Sequence, residues 1–156
     1  FGITIVEMVS KHEAHRTGTM TETAMQMGKP SMTVELVPWR RVSPLAVRVG
    51  VKGVLNVMKK LGMVDGEIEP QDEIQVVEGR LTRTEITANR GGLVQEYKDA
   101  GDPVKKGVVI GHIVDAYGEP LEDIVSPVDG WLLAFPLLGN QAVFTGDLLA
   151  FFLFEK

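Results

Sequence analysis

At 156 residues, 44% hydrophobic and 24% charged, the chain can bury a sizeable core in one domain or two small ones. A net charge of -5 leaves no basic footprint for nucleic acid, since cations pair up only at Arg40-Arg41 and Lys59-Lys60. Zero cysteines exclude disulfides, thiol catalysis and Cys-based zinc sites and fit a reducing cytoplasm, and no apolar run approaches the roughly 20 residues that span a bilayer.

The chain begins with Phe1 rather than Met, which points to a piece of a longer protein, and its start has no basic n-region followed by an apolar core and cleavage site. Residues 2 to 9, GITIVEMV, read as a strand because β-branched residues dominate without helical spacing. A polar loop with His12 and His15 follows. Thr19 or Thr21 then caps a short helix through Met27, ended by Gly28 with Pro30 two residues beyond.

Met32-Thr33-Val34-Glu35-Leu36-Val37 reads as a further strand with a carboxylate in its middle. A charged Glu buried in a sheet costs several kcal/mol unless it is paired, so Glu35 either faces solvent or serves a purpose. The clearest helix comes next. Ser43 suits its N-cap, Pro44 its first turn and Gly62 its C-terminal stop. Val47, Val51, Val54, Leu55, Met58 and Leu61 recur at steps of three and four, predicting a packed face, with Arg48, Lys52, Asn56, Lys59 and Lys60 on a wet one. Strand, helix, strand, helix is the grammar of an α/β sheet with parallel strands.

The acidic, Pro-containing stretch around residues 65 to 73 reads as a linker, which divides the chain into residues 1–70 and a β part over 73–156. Within the β part a repeat can be counted. At a shift of 38, Ile86 meets Ile124, Ala88 meets Ser126 and Gly92 meets Gly130; at 39, Val104 meets Val143, Gly107 meets Gly146 and Val109-Ile110 meets Leu148-Leu149. Each copy reads as short strands separated by glycine turns. This pairing resembles the lipoyl and biotinyl carrier fold, a flattened barrel-sandwich. The hairpin between the copies, VDAYGEPLED, has no lysine to carry a prosthetic group, and none occurs between Lys106 and Lys156.

Chemistry is weakly marked by the residues themselves. His12 and His15 are spaced i, i+3 but lack a third ligand, and no H-x-x-E occurs, since His15, Gly18 and Asp115 stand three residues after the histidines. His112 matches Phe151 in the repeat, as a core or surface histidine would. No G-x-S-x-G elbow is present, and the RGG at 90 to 92 does not open a helix.

The order of the pieces says more. GKPSMTVELV, a loop, the helix ending in Leu61-Gly62-Met63 and the repeated β part together resemble the succinylglutamate desuccinylase and aspartoacylase family of zinc hydrolases. The resemblance implies the C-terminal part of a zinc-carboxypeptidase-like α/β domain followed by an all-β barrel-sandwich domain. It implies zinc held by an H-x-x-E and a later His, all upstream of this chain, with Glu35 as general base on the zinc-bound water. The family's Gly after that Glu is replaced here by Leu36-Val37-Pro38. The implied substrate is an N-acyl amino acid or similar small amide, so a guanidinium is expected to grip its carboxylate, with Arg16, Arg40 and Arg41 as candidates. The competing class is a non-catalytic binding or scaffold module whose lipoyl-like β domain, lacking the cofactor lysine, mediates homo-oligomerisation or regulation. Neither class calls for a nucleic-acid or membrane partner.

Overall fold

The computed structural model describes residues 1–7, 18–36, 42–136 and 141–155. It divides into two compact units, Phe1–Glu78 and Gly79–Lys156, so the division falls at Glu78–Gly79 rather than between 70 and 73.

In the first unit a two-residue strand, β1 (Val6–Glu7), is followed by helix α1 (Met20–Gln26) and helix α2 (Pro44–Lys60). Both helices begin and end where their capping residues demand. The Glu22 amide donates to Thr19 Oγ1 at 3.2 Å, and the Ala46 amide donates to Ser43 Oγ at 3.4 Å. Gly28 (φ 71°) and Gly62 (φ 69°) take the left-handed conformation that stops each helix, which a side chain would resist.

The two faces of α2 are used in the opposite sense from the sequence expectation. Val47, Val51, Val54, Leu55 and Leu61 are exposed, and the buried positions are Val49, Gly53 and Asn56. The reason lies in residues 67–73, which run along the polar face as a strap. Asn56 Nδ2 donates to the Glu69 carbonyl at 2.7 Å, and the Glu69 amide donates back to Asn56 Oδ1 at 3.0 Å. Around that amide pair stand three ion pairs: Arg48 with Glu73, Lys52 with Asp72 at 2.7 Å and Lys59 with Glu69 at 2.6 Å. Positions 48, 52, 56 and 59 share one side of a helix by their spacing of four and three, so one strap reaches all of them. Buried Gln71 secures its end by donating to the Val49 carbonyl at 3.0 Å and the Phe1 carbonyl at 3.2 Å. Phe1 lies on Gly53, where any Cβ would overlap its ring.

The stretch from Met32 to Leu36 forms no strand. A strand exists only through pairing with another backbone, so an apolar, β-prone run records a capacity and does not supply the partner. No β-α-β unit with parallel strands is completed among the described residues; every pairing in the second unit is antiparallel.

The second unit holds eight strands: β2 (Leu81–Thr87), β3 (Gly92–Glu96), β4 (Pro103–Val104), β5 (Val109–Val114), β6 (Pro120–Val125), β7 (Gly130–Ala134), β8 (Ala142–Val143) and β9 (Leu148–Glu155). One sheet runs β2-β9-β7-β4 and the other β6-β5-β3-β8. The counted repeat maps β2 to β6, β3 to β7, β4 to β8 and β5 to β9, so each sheet takes two strands from each copy and the second sheet is the first with the copies exchanged. Loop hydrogen bonds obey the same exchange. The Gly107 amide donates to the Ser126 carbonyl at 2.9 Å, and the Gly146 amide donates to the Ala88 carbonyl at 2.7 Å. Between the sheets Val94, Ile110, Ile113 and Val104 of one copy meet Leu132, Leu149, Phe152 and Val143 of the other in one core. Gly92 and Gly130, equivalent in the repeat, permit close strand approach: a Cβ at Gly92 would stand 2.5 Å from the Val114 carbonyl oxygen, and one at Gly130 would overlap that of Leu153.

Candidate functional site

The residue that the motif singles out, Glu35, sits in the irregular segment before α2. Thr33, two residues earlier, is joined to α1 by a hydroxyl contact with Thr21 at 3.1 Å. Val34 is half-buried, while Glu35 and Leu36 are exposed. Of the two alternatives the sequence left open, the side chain faces solvent: Glu35 bears no burial cost in this chain, and its role as a base remains what the family resemblance implies. Leu36 reaches α2, with its Cδ1 3.0 Å from where a Cβ at Gly50 would stand.

Leu36 also borders a shallow apolar groove of about 390 Å³, lined with it by Val42, Ala46, Val47, Gly50 and Val51 among others. A second groove of about 360 Å³ continues along the helix past Val47, Val51 and Leu55 to the Arg48–Glu73 and Lys52 side chains. Val47 and Val51 border both. The strap bounding the second groove is strongly ionised. Hydrogen bonding and attraction from Lys59 hold the Glu69 carboxyl below its ordinary value of 4.5, Lys52 does the same for Asp72, and Arg48 for Glu73. Sequence reasoning missed this strap, although the spacing of Arg48, Lys52, Asn56 and Lys59 opposite an acidic run was the available signal.

Arg16, Arg40 and Arg41, the expected carboxylate grips, lie outside the described residues, as do His12 and His15. Among the described residues no group of three or more His, Cys, Asp or Glu side chains could hold a metal ion, so these residues do not form a zinc site. His112 of β5 is half-buried on the outer side of its sheet. Its Nδ1 lies 2.9 Å from Asp123 Oδ1, and its ring meets Tyr97 edge-on at 5.1 Å between centroids. Two groups do not make a metal centre. No helix of the described residues is long and apolar enough to cross a membrane.

Solved structures carry the same fold. The chain aligns with a succinylglutamate desuccinylase/aspartoacylase from Rhodobacter sphaeroides at 28% identity and a TM-score of 0.74, over 88% of this chain and 44% of that one. A succinylglutamate desuccinylase from a Silicibacter species aligns at 18% identity and a TM-score of 0.74, over 99% of this chain and 46% of that one. The ectoine utilization protein EutE from Ruegeria pomeroyi aligns at 22% identity and a TM-score of 0.70, over 87% and 41%. The resemblance to the succinylglutamate desuccinylase/aspartoacylase family is thus present in the fold as well as in the motifs. The chain spans less than half the length of these structures. No protein-family model and no curated protein matches it.

Proposed function

We propose that this chain is the C-terminal portion of a zinc-dependent deacylase that hydrolyses N-acyl amino acids or similar small amides. The observation that carries this reading is the alignment, at 28% identity over 88% of the chain, with the Rhodobacter sphaeroides desuccinylase/aspartoacylase structure. The zinc ligands, an H-x-x-E and a later His, are expected upstream of Phe1, as the family resemblance implies. The second unit, Gly79–Lys156, is the barrel-sandwich domain of the parent, and the exchanged two-copy sheets support that reading.

Within this chain the chemical work falls to Glu35. Its carboxylate takes the proton of the attacking water and returns it to the leaving amine when the tetrahedral intermediate collapses. An exposed carboxylate suits this task, since water can approach it. Arg16, Arg40 and Arg41 are the candidates to grip the substrate carboxylate, for which a guanidinium offers a two-pronged hydrogen bond.

The test is Glu35→Gln in the protein extended upstream through its H-x-x-E segment. Turnover of an N-acyl amino acid should fall by about 10²–10⁴-fold, as expected for loss of a general base, with zinc content and circular dichroism unchanged. Undiminished turnover removes Glu35 from the mechanism.

A further inference from the structure

The outer strand of the second sheet has an edge that the proposed reaction does not use. β6 pairs with β5 on one side, and among the described residues no strand lies on its other side. Six residues of extended backbone are long enough to offer that edge to another strand, whereas β4 and β8, at the far ends of the two sheets, have two residues each. The middle of β6 is Glu122-Asp123. The Asp123 side chain is 60% exposed and lies beside His112 Nδ1, whose ring meets Tyr97. Glu122 accepts from the Asn89 amide at 3.1 Å and from Asn89 Nδ2 at 2.6 Å. Between Gly107 and Val128 stand Asp115, Glu119, Glu122 and Asp123 but no Lys or Arg, so no lysine or arginine of its own hairpin offsets the charge of this edge.

Two identical strands related by a twofold axis pair antiparallel, and the residue on the axis lies opposite its own copy. For β6 the two registers that overlap most of the strand put the axis at Glu122 or at Asp123. Either one sets two carboxylates opposite each other at a Cβ separation of about 4.5–5.5 Å, where like charges repel. The backbone permits the pairing and the charge opposes it. We propose that β6 is a charge-gated edge for a second copy of this chain: β6 pairs with β6 once Glu122 and Asp123 are neutral, and stays unpaired while they are ionised. Pro120, which lacks an N–H, and the register shift between Ile113 and Val114 already blunt one end of the strand, so the gate is concentrated in these two side chains. The inference uses the second unit alone and does not depend on the hydrolase reading.

Sedimentation velocity combined with hydrogen exchange, on the full-length protein, tests it. Glu122→Gln/Asp123→Asn should self-associate on the order of tenfold more tightly than the unsubstituted chain, with slower exchange at amides 121–125. Asp123→Asn alone, which leaves the bonds between Glu122 and Asn89 in place, should move the same way by less. Asp123→Lys should pair with the unsubstituted chain more readily than with itself, because opposite charges then meet across the axis. Raised salt should bring the unsubstituted chain part of the way by screening the repulsion. Amide variants that keep their circular dichroism yet associate no more than the unsubstituted chain overturn the proposal. So does association that leaves amides 121–125 unprotected, or an Asp123→Lys chain that does not prefer the unsubstituted partner.

Discussion

The two units of this chain handle apolar surface in opposite ways. Among the described residues, Val49 is the one buried hydrophobic of the first unit, whereas the second buries fourteen of the fifteen, from Leu81 to Leu153. The second unit closes its own core; the first is held largely by polar links between a helix and its strap. The first unit spends its hydrogen bonds and ion pairs on one face of α2 and leaves valines bare on the other.

Substitutions in the two units should therefore have very different effects. The largest is expected at Phe152, fully buried between the sheets, where Phe152→Ala should cost about 3–5 kcal/mol in urea denaturation. Gly130→Ala follows, at about 3 kcal/mol, because the new Cβ must displace the Leu153 carbonyl from the β7–β9 pairing. In the first unit Asn56→Ala should cost about 1–3 kcal/mol, since it removes both hydrogen bonds between the buried Asn56 side chain and the Glu69 backbone, and it should be read as faster amide exchange over residues 67–73. Smallest is Val51→Ala, expected within about 0.5 kcal/mol for residues 1–156 because the side chain is already exposed. A large loss there would erase the contrast between the units.

Acid should also separate the units. Glu69, Asp72 and Glu73 titrate below their ordinary values of 4.5, 3.8 and 4.5 when folded, so the strap's ionic contribution is complete above those values. It is lost as pH falls through the lower folded values. Lys52 is raised above 10.5 by its hydrogen bond to Asp72, so its share is present below that value and fades as pH rises through the folded one. Protection over residues 67–73, taken relative to the intrinsic exchange rate at each pH, should be flat near neutrality and fall below about pH 4, and added salt should lower it too, since all three pairs reach solvent. Protection of Ile110 and Phe152 should persist until the second unit unfolds as a whole.

What the sequence disclosed follows the range of the physics involved. Ser43, Pro44, Gly62, Thr19 and Gly28 act on neighbours a few residues away, so the helix ends could be read directly. The repeat was legible because Gly92 and Gly130, or Gly107 and Gly146, answer the same steric demand twice. By contrast, the valines of α2 announced an apolar face without saying whether anything in this chain covers it. Residues 32–36 had the composition of a strand, but pairing is decided by a backbone distant in sequence. The strap was hidden because DGEIEPQDE reads as a solvated acidic linker until its carboxylates are set against cations spaced along α2. Of the candidate site, the motif located Glu35, while its exposed setting could be learned only from the fold.

The exchange of strands between the two β copies has a consequence for synthesis. Neither sheet can be completed by residues 81–114 alone, because β9 and β7 must join β2 in one and β6 and β8 must flank β5 and β3 in the other. A nascent chain halted at the hairpin around Tyr117 holds half the strands of both sheets and all of neither. β3 and β5 can already pair at that point, but β2 and β4 lack β9 and β7 until the second copy has been made, which makes the closing step late in the manner of other folds built from distant pairings.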